Sequence, residues 1–383
     1  MMPMDHAAFY SACNLTLNPF RSNATFDDDP RLEVWAGQAQ ERMQLEKFLS
    51  RSRADQVGNS NLVLLHGDWG TGKSHALLWG TQWLRKITVG GSSAAYYIPT
   101  LKKDKGRTSF AGAFVEDLVA KTTLLEDVIE YRQYLKTQIS KYRDENSVNA
   151  KVSDDEIIEK IIPAVELYNF AKELDRREGE DIRAFLMPKG LTDYQAMVTF
   201  TRIVNLFVYE IRFKNEIRRF RQSVHLMIDE LDILRQATTK EILEVNDLIR
   251  HLYDLCPNCF GLVLAVSAEQ ELLSSMFADY ILTRVNRQIE FKPFDRGTSF
   301  EFVAQIMDEN RANKDDVLRK GAFPFTDEAL DAVLGQLTFR TPRKVVNVMQ
   351  QVIEEARLAE LDPSKGAIDI GDLDRTNLLD EIL

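Results

Sequence analysis

The feature that most constrains this 383-residue chain is the run Gly67, Asp68, Trp69, Gly70, Thr71, Gly72, Lys73, Ser74, which fits G-x-x-x-x-G-K-[ST] in full. It follows a short apolar run, Asn61 to Leu65, that reads as a buried strand, and it opens a helical pattern from Lys73 to about Lys86. A strand, a glycine-rich loop and a helix in that order cradle phosphate. The main-chain N–H groups must turn inward onto the anion where a Cβ would collide, and the helix N-terminus adds positive potential. The expected binding residues run from Gly67 through His75. Lys73 supplies a point charge for the β- and γ-phosphates, and Ser74 a hydroxyl ligand for Mg²⁺, so ATP and Mg²⁺ are the expected cofactors.

A phosphate site of this kind needs a carboxylate for the metal and a base for water, both emerging from a buried strand. Val224 to Ile228 followed by Asp229 and Glu230 supplies that order. Asp229 is expected to hold Mg²⁺ through water and Glu230 to polarise the attacking water. Taken alone, an acidic pair after an apolar run is equally a solvated loop end.

Further strands are expected at Ala94 to Ile98, Gly261 to Val266 and Ile289 to Phe291. Residues 1–36 read as irregular, punctuated by Asn18-Pro19-Phe20 and the acidic run Asp27 to Asp29 before Pro30, with an amphipathic helix from Gln38 to Phe48. Between Phe110 and Arg221 the periods read as helical throughout, in about three stretches divided at Gly179 and at Pro188 to Gly190. Ser153 with Glu156 fits a capping box there, and Pro163 kinks or restarts the helix. After Phe294 the pattern is helical to about Leu361, with a short acidic tail. Strands alternating with helices imply a parallel sheet with crossovers, followed by an all-helical module.

Composition narrows the class. Hydrophobic residues at 44% and charged residues at 28% are ordinary globular usage. The net charge of −11 opposes polyanion binding by bulk charge, so any nucleic-acid contact needs a local patch. Cys13, Cys256 and Cys259 are an odd count, MMPMDHAAFY has neither a basic nor an apolar leader segment, and Val198 to Phe213 is too short and too charged to span a bilayer. A cytoplasmic protein without a membrane partner is the expectation.

These residues resemble the AAA+ ATPases of the P-loop superfamily, and Asp229-Glu230-Leu231-Asp232 resembles the acidic motif of the initiator branch, which includes origin-recognition and transposon-regulator ATPases. The resemblance implies an α/β ASCE core with a five-stranded parallel sheet, a large helical insertion at about 110–221 and a C-terminal helical lid. The implied domains are an N-terminal extension with an adenine-side segment over 1–50, the core over 51–296, and the lid and tail over 297–383. It further implies that Ser267 senses the γ-phosphate and that Arg284 or Arg287, with Arg284 preferred, acts as an arginine finger in a neighbouring subunit's site. Each of those arginines is equally a surface salt bridge.

Arg343, with Arg340 as the alternative, resembles the second sensor, an arginine that starts a lid helix and touches the γ-phosphate. Asn18-Pro19-Phe20 and the stretch from Trp35 to Arg42 resemble the segment that wraps the adenine, though Phe20 and Trp35 read equally as core aromatics. Homo-oligomers in rings or filaments, double-stranded DNA and a protein partner docked on the insertion are the implied partners. The run from Gly67 to Lys73 with a long insertion also resembles KAP-type and phage-defence ATPases, which implies a protein-remodelling or signalling role without DNA. Initiators carry a winged-helix domain after the lid, and the few residues beyond Leu361 leave origin binding by that route unexpected.

Three weaker signals remain. Arg202, Arg212, Lys214, Arg218, Arg219 and Arg221 against Glu210 and Glu216 form a basic stripe that reads as a phosphate track or as a solvated helix face. Lys102, Lys103, Lys105 and Arg107 form a second cluster. Cys256 and Cys259 with His251 give three of the four ligands a structural zinc needs, so a reduced turn is the favoured reading.

Overall fold

Apolar runs bounded by polar turns become the strands of one central sheet. The structure is a computed structural model that describes residues 5–20, 30–86, 92–104, 107–148 and 151–378. In chain order come α1 (His6–Ala12), a 3₁₀ turn at Pro30–Glu33, α2 (Ala39–Arg51), β1 (Asn61–Gly67), α3 (Lys73–Lys86) and β2 (Ser93–Ile98). A hairpin of β3 (Lys102–Asp104) and β4 (Arg107–Ser109) leads into α4 (Phe110–Ala113), a π-helical stretch (Phe114–Val119), α5 (Leu124–Glu145), α6 (Asp154–Ile161), α7 (Val165–Asp175), α8 (Glu180–Leu186) and α9 (Asp193–Val208). Then follow β5 (Ile211–Arg212), β6 (Ile217–Arg218), β7 (Ser223–Ile228), α10 (Thr239–Asp254), β8 (Phe260–Val266), α11 (Leu273–Met276), α12 (Asp279–Leu282) and β9 (Val285–Phe291). The last helices are α13 (Arg296–Glu309), α14 (Asp327–Gly335), α15 (Pro342–Leu358) and α16 (Ile370–Arg375).

The five-stranded parallel sheet has the order β2-β7-β8-β1-β9. Its register pairs Leu62 with Leu262, Leu226 with Leu262 and Tyr97 with Met227. Strands β1, β7 and β8 are buried along their whole length, which is why they read as unbroken apolar runs. The α/β fold with a five-stranded parallel sheet that the resemblance implies is the fold observed.

The chain divides into two compact units. One comprises Met1–Met43, Gly67–Ala76 and Glu290–Leu383, with a core that joins Phe9, Tyr10, Leu15 and Phe20 to Phe294, Phe302, Leu330, Val345 and Met349. The other comprises Gln44–His66 and Leu77–Ile289, and its core runs from Leu62, Leu226 and Leu262 of the sheet to Phe114, Tyr131, Phe200 and Phe207 of the helical block.

Several expectations need correction. Residues 6–12 are helical rather than irregular, because Phe9 and Tyr10 bury against the C-terminal helices and Tyr10 donates to Glu354. The block from Phe110 is not helical through to Arg221, since Ile211–Arg212 and Ile217–Arg218 pair as an antiparallel hairpin. Nor is it three stretches, as five helices from α5 to α9 follow the opening turn. Pro163 restarts the helix, with α6 ending at Ile161 and α7 beginning at Val165, and Gly179 and Gly190 break it again at positive φ. The acidic tail contains α16, capped reciprocally by Asp369 and Asp372. Asp27 to Asp29 and Lys105 lie outside the described residues.

Candidate functional site

The phosphate-loop side lies within the first unit. Gly67, Gly70 and Gly72 have φ of +138°, +76° and +104°, conformations that L side chains rarely adopt. A Cβ at Gly67 would stand 2.1 Å from the Phe291 carbonyl oxygen, and one at Gly70 would stand 3.0 Å from Arg343 Cβ, so the loop closes only with glycine there. Helix α3 begins at Lys73, which turns its N-terminus toward the loop. Lys73 is buried, and its Nζ donates to the carbonyl oxygens of Gly67 at 2.9 Å and Asp68 at 2.7 Å. Positive-φ glycines, a helix N-terminus and a placed ammonium fit a nucleotide's phosphates, and Ser74 in the first turn of α3 fits a magnesium ligand.

Two further segments meet this loop. Thr341 caps α15 by accepting from Lys344 N–H, Pro342 fills the first helical position, and Arg343 N–H donates to Gly70 O at 3.1 Å. Arg343 therefore stands in the first turn of α15 directly on the loop. Arg340 is held elsewhere, its Nε donating to Leu334 O at 3.0 Å. On the other side, Gln38 Nε2 donates to Thr71 O at 3.0 Å, and Trp35 meets His75 edge-on at a centroid distance of 6.0 Å. Phe20 is a core residue, 1% exposed, whereas Trp69 at the loop tip is 61% exposed.

The carboxylate side lies within the second unit. Asp229 is buried at the end of β7, and its two oxygens accept from Tyr97 Oη at 2.9 Å and from Glu230 N–H at 2.8 Å. Burial, with the negative charges of Asp229, Glu230 and Asp117, raises the Tyr97 pKa far above the usual phenol value. Glu230 is exposed and left-handed at φ +49° and ψ +43°, a strained conformation of the kind that collects at functional positions. Asp232 accepts from Ser267 N–H, and Arg235 donates to Ser267 O at 3.3 Å, so the main chain of Ser267 is gripped on both sides.

The two finger candidates differ. Arg284 forms a fork with Asp254, both N–H···O distances being 3.0 Å, and also donates to Tyr280 O at 2.6 Å. Arg287 is exposed on β9, where its Nε meets Gln44 at 2.9 Å. The basic stripe is largely spent inside the chain. Arg212 and Arg219 pair with Glu210, Arg218 pairs with Glu216, and Arg221 is buried against Asp127 and Glu130 at 2.7 and 2.6 Å. Lys102 and Lys103 likewise face Asp117 and Glu241.

Cys256 and Cys259 are reduced and buried in the turn before β8, and burial pushes the Cys256 thiol far up. Among the described residues no group of three or more His, Cys, Asp or Glu is arranged to hold a metal, and no helix is long and apolar enough to cross a membrane. The contacts made by Gln38 and Tyr97 are the ones sequence reasoning missed. Gln38 lies within the stretch from Trp35 to Arg42, and Tyr97 is one residue before the end of the strand paired with β7.

No family model and no curated protein matches the sequence. Among solved structures, the chain is similar to one in the Drosophila ORC bound to DNA, at 13% identity and TM-score 0.48, covering 100% of this chain and 67% of that one. It is similar to the Aeropyrum pernix ORC2 protein in its ADPNP-ADP complexes, at 12% identity and TM-score 0.47 over 93% of this chain and 72% of that one. It is also similar to a Walker-type ATPase of Pyrococcus abyssi, at 15% identity and TM-score 0.46 over 94% and 79%.

Proposed function

We propose that this chain is a Mg²⁺-dependent ATPase that works as an oligomeric, nucleotide-dependent switch. The observation that carries the reading is the bond from Arg343 N–H to Gly70 O at 3.1 Å, which seats the first turn of α15 on a loop built for phosphate. A change in charge at that loop acts directly on a helix terminus, so bound nucleotide and the arrangement of the C-terminal helices are coupled. Lys73 bears on the β- and γ-phosphates, Ser74 and Asp229 serve Mg²⁺, Glu230 polarises water, and Ser267 and Arg343 sense the γ-phosphate. For the finger in a neighbour's site, the exposure of Arg287 and the engagement of Arg284 with Asp254 favour Arg287.

Assembly on double-stranded DNA to recruit or regulate a nucleic-acid enzyme draws its support from the resemblance of Asp229-Glu230-Leu231-Asp232 to the initiator branch. The internal pairing of the basic stripe removes one support for it. A protein partner on the helical block draws on the net charge of −11 and on exposed Val165, Tyr194 and Ile217.

ATP hydrolysis and particle mass, with and without double-stranded DNA, test these readings in wild type and Glu230→Gln. Turnover that is lost in Glu230→Gln while ATP binding persists supports the ATPase. Turnover and mass that respond to DNA support assembly on it. No response to DNA leaves the ATPase with a protein partner, and a wild type that neither binds nor hydrolyses ATP overturns the whole reading.

A further inference from the structure

Strand β2 lies outside both sequence motifs yet holds the carboxylate assigned above to the metal. It carries Tyr96 and Tyr97 in succession, and neighbouring strand residues face opposite sides of a sheet. Tyr96 Oη accordingly donates to Asp127 Oδ2 of α5 at 2.9 Å, whereas Tyr97 Oη donates to Asp229 Oδ2 at 2.9 Å. The opposite oxygen, Asp229 Oδ1, takes the N–H of Glu230 at 2.8 Å.

A carboxylate that accepts a donor on each of its two oxygens has its plane fixed. The grip is anchored by the backbone as well. Tyr97 pairs with Met227 and Ile98 with Ile228 in the parallel ladder, and Asp229 N–H continues it by donating to Ile98 O at 2.9 Å. The ladder therefore fixes the backbones of Tyr97 and Asp229 relative to each other, and the hydroxyl bond completes the grip.

We propose that Tyr97 is a positioning residue for the divalent metal, orienting Asp229 through the hydroxyl bond to Oδ2. The inference rests on the ATPase reading and deepens it. Outer partners that orient a metal-binding group are typically worth about 10- to 100-fold in metal affinity.

The test compares Tyr97→Phe with Tyr96→Phe in the full chain. Mn²⁺ is titrated by electron paramagnetic resonance in the presence of a non-hydrolysable ATP analogue, the analogue's affinity is measured in EDTA, and thermal unfolding is followed in parallel. Tyr97 is only partly buried, so Tyr97→Phe is expected to keep the fold, which the thermal unfolding checks. Tyr97→Phe is expected to weaken Mn²⁺ binding about 10-fold with nucleotide affinity in EDTA unchanged. Tyr96→Phe is expected to lower the thermal midpoint and to keep the wild-type Mn²⁺ affinity.

A double-mutant comparison adds a second arm: on an Asp229→Asn background, Tyr97→Phe should change Mn²⁺ affinity no further. Mn²⁺ affinity within two-fold of wild type in Tyr97→Phe, or equal losses in both tyrosine variants, overturns the inference while the ATPase stands. A wild-type chain that binds neither the analogue nor Mn²⁺ with it overturns the ATPase reading, and this inference with it.

Discussion

Lys73 and Arg221 are both cations taken almost out of water, at 5% and 9% exposure, yet they are kept there by different means. Among the contacts of Lys73 Nζ are the carbonyl oxygens of Gly67 and Asp68, which are neutral groups. Arg221 is held by the carboxylates of Asp127 and Glu130. Carbonyl contacts position a positive charge, whereas carboxylate contacts cancel one. The carbonyl contacts set where the Lys73 ammonium sits in its loop, and the carboxylate contacts let Arg221 tie α5 to the sheet. Counting bases along the chain treats the two alike.

If this contrast is sound, Lys73→Ala should cost function rather than fold. Turnover should fall by a factor on the order of 10²–10³, as for other single charge-stabilising donors, with the thermal midpoint near that of wild type. Steady-state ATPase assays with thermal unfolding check it, and a variant that unfolds instead would erase the distinction.

Arg221→Ala should do the reverse. It leaves the buried Asp127 carboxylate without its cation, a loss of about 3–5 kcal/mol, read by denaturant unfolding. The protein that remains folded should bind ATP as wild type does. Replacing Asp127 with Leu and Tyr96 with Phe together with Arg221→Met should recover much of the loss, because the uncompensated charge is gone and no buried hydroxyl is left unpaired.

His225 sharpens the comparison by showing that a carbonyl contact does not by itself keep a group charged. It is fully buried in β7 with Nε2 3.2 Å from Leu49 O, and burial lowers its pKa from 6.5 to about 4 despite that contact. The unfolded chain takes up the proton near pH 6.5 while the folded chain resists it until about pH 4. Stability from this group is therefore complete above that window and falls as pH drops through it, by about 1.4 kcal/mol per unit and roughly 3 kcal/mol in all. Denaturant midpoints measured across the window should show that slope, and His225→Gln should flatten it while lowering stability at neutral pH.

What was legible in the sequence follows the same physics. Strands β1, β7 and β8 are buried on both faces, so their apolar runs announced them, and the glycines of the loop were told from a chance glycine turn by the strand before them and the helix after. Of β9 only Ile289 to Phe291 was legible, because it is an edge strand whose Asn286, Arg287 and Gln288 face solvent. The capping box of Ser153 and Glu156 was local and visible, whereas α1 was not, since Phe9 and Tyr10 bury against residues more than 280 positions away. The contacts of Gln38 with Thr71 and Tyr97 with Asp229 were hidden for the same reason: neither carries a local pattern, and both depend on which segments the fold brings side by side.

The smallest expected effect falls on the exposed end of the basic stripe. Arg212 is 73% exposed and pairs with Glu210 at 2.8 Å, and Lys214 reaches Glu145 O at 3.3 Å. Exposed pairs of this kind contribute at most about 1 kcal/mol, so Arg212→Ala and Lys214→Ala should each move stability by less than that. Their value lies in the binding assay. A cation that neutralises a DNA phosphate contributes about one unit to the slope of log affinity against log salt, and removing it lowers the slope by that amount. Since Arg212, Arg218 and Arg219 already face Glu210 and Glu216, the slope for double-stranded DNA should change by well under one unit in Arg212→Ala. A full unit lost per substitution would mean that these arginines leave their carboxylates for phosphate, and the division between cations that are positioned and cations that are cancelled would then fail at the hairpin.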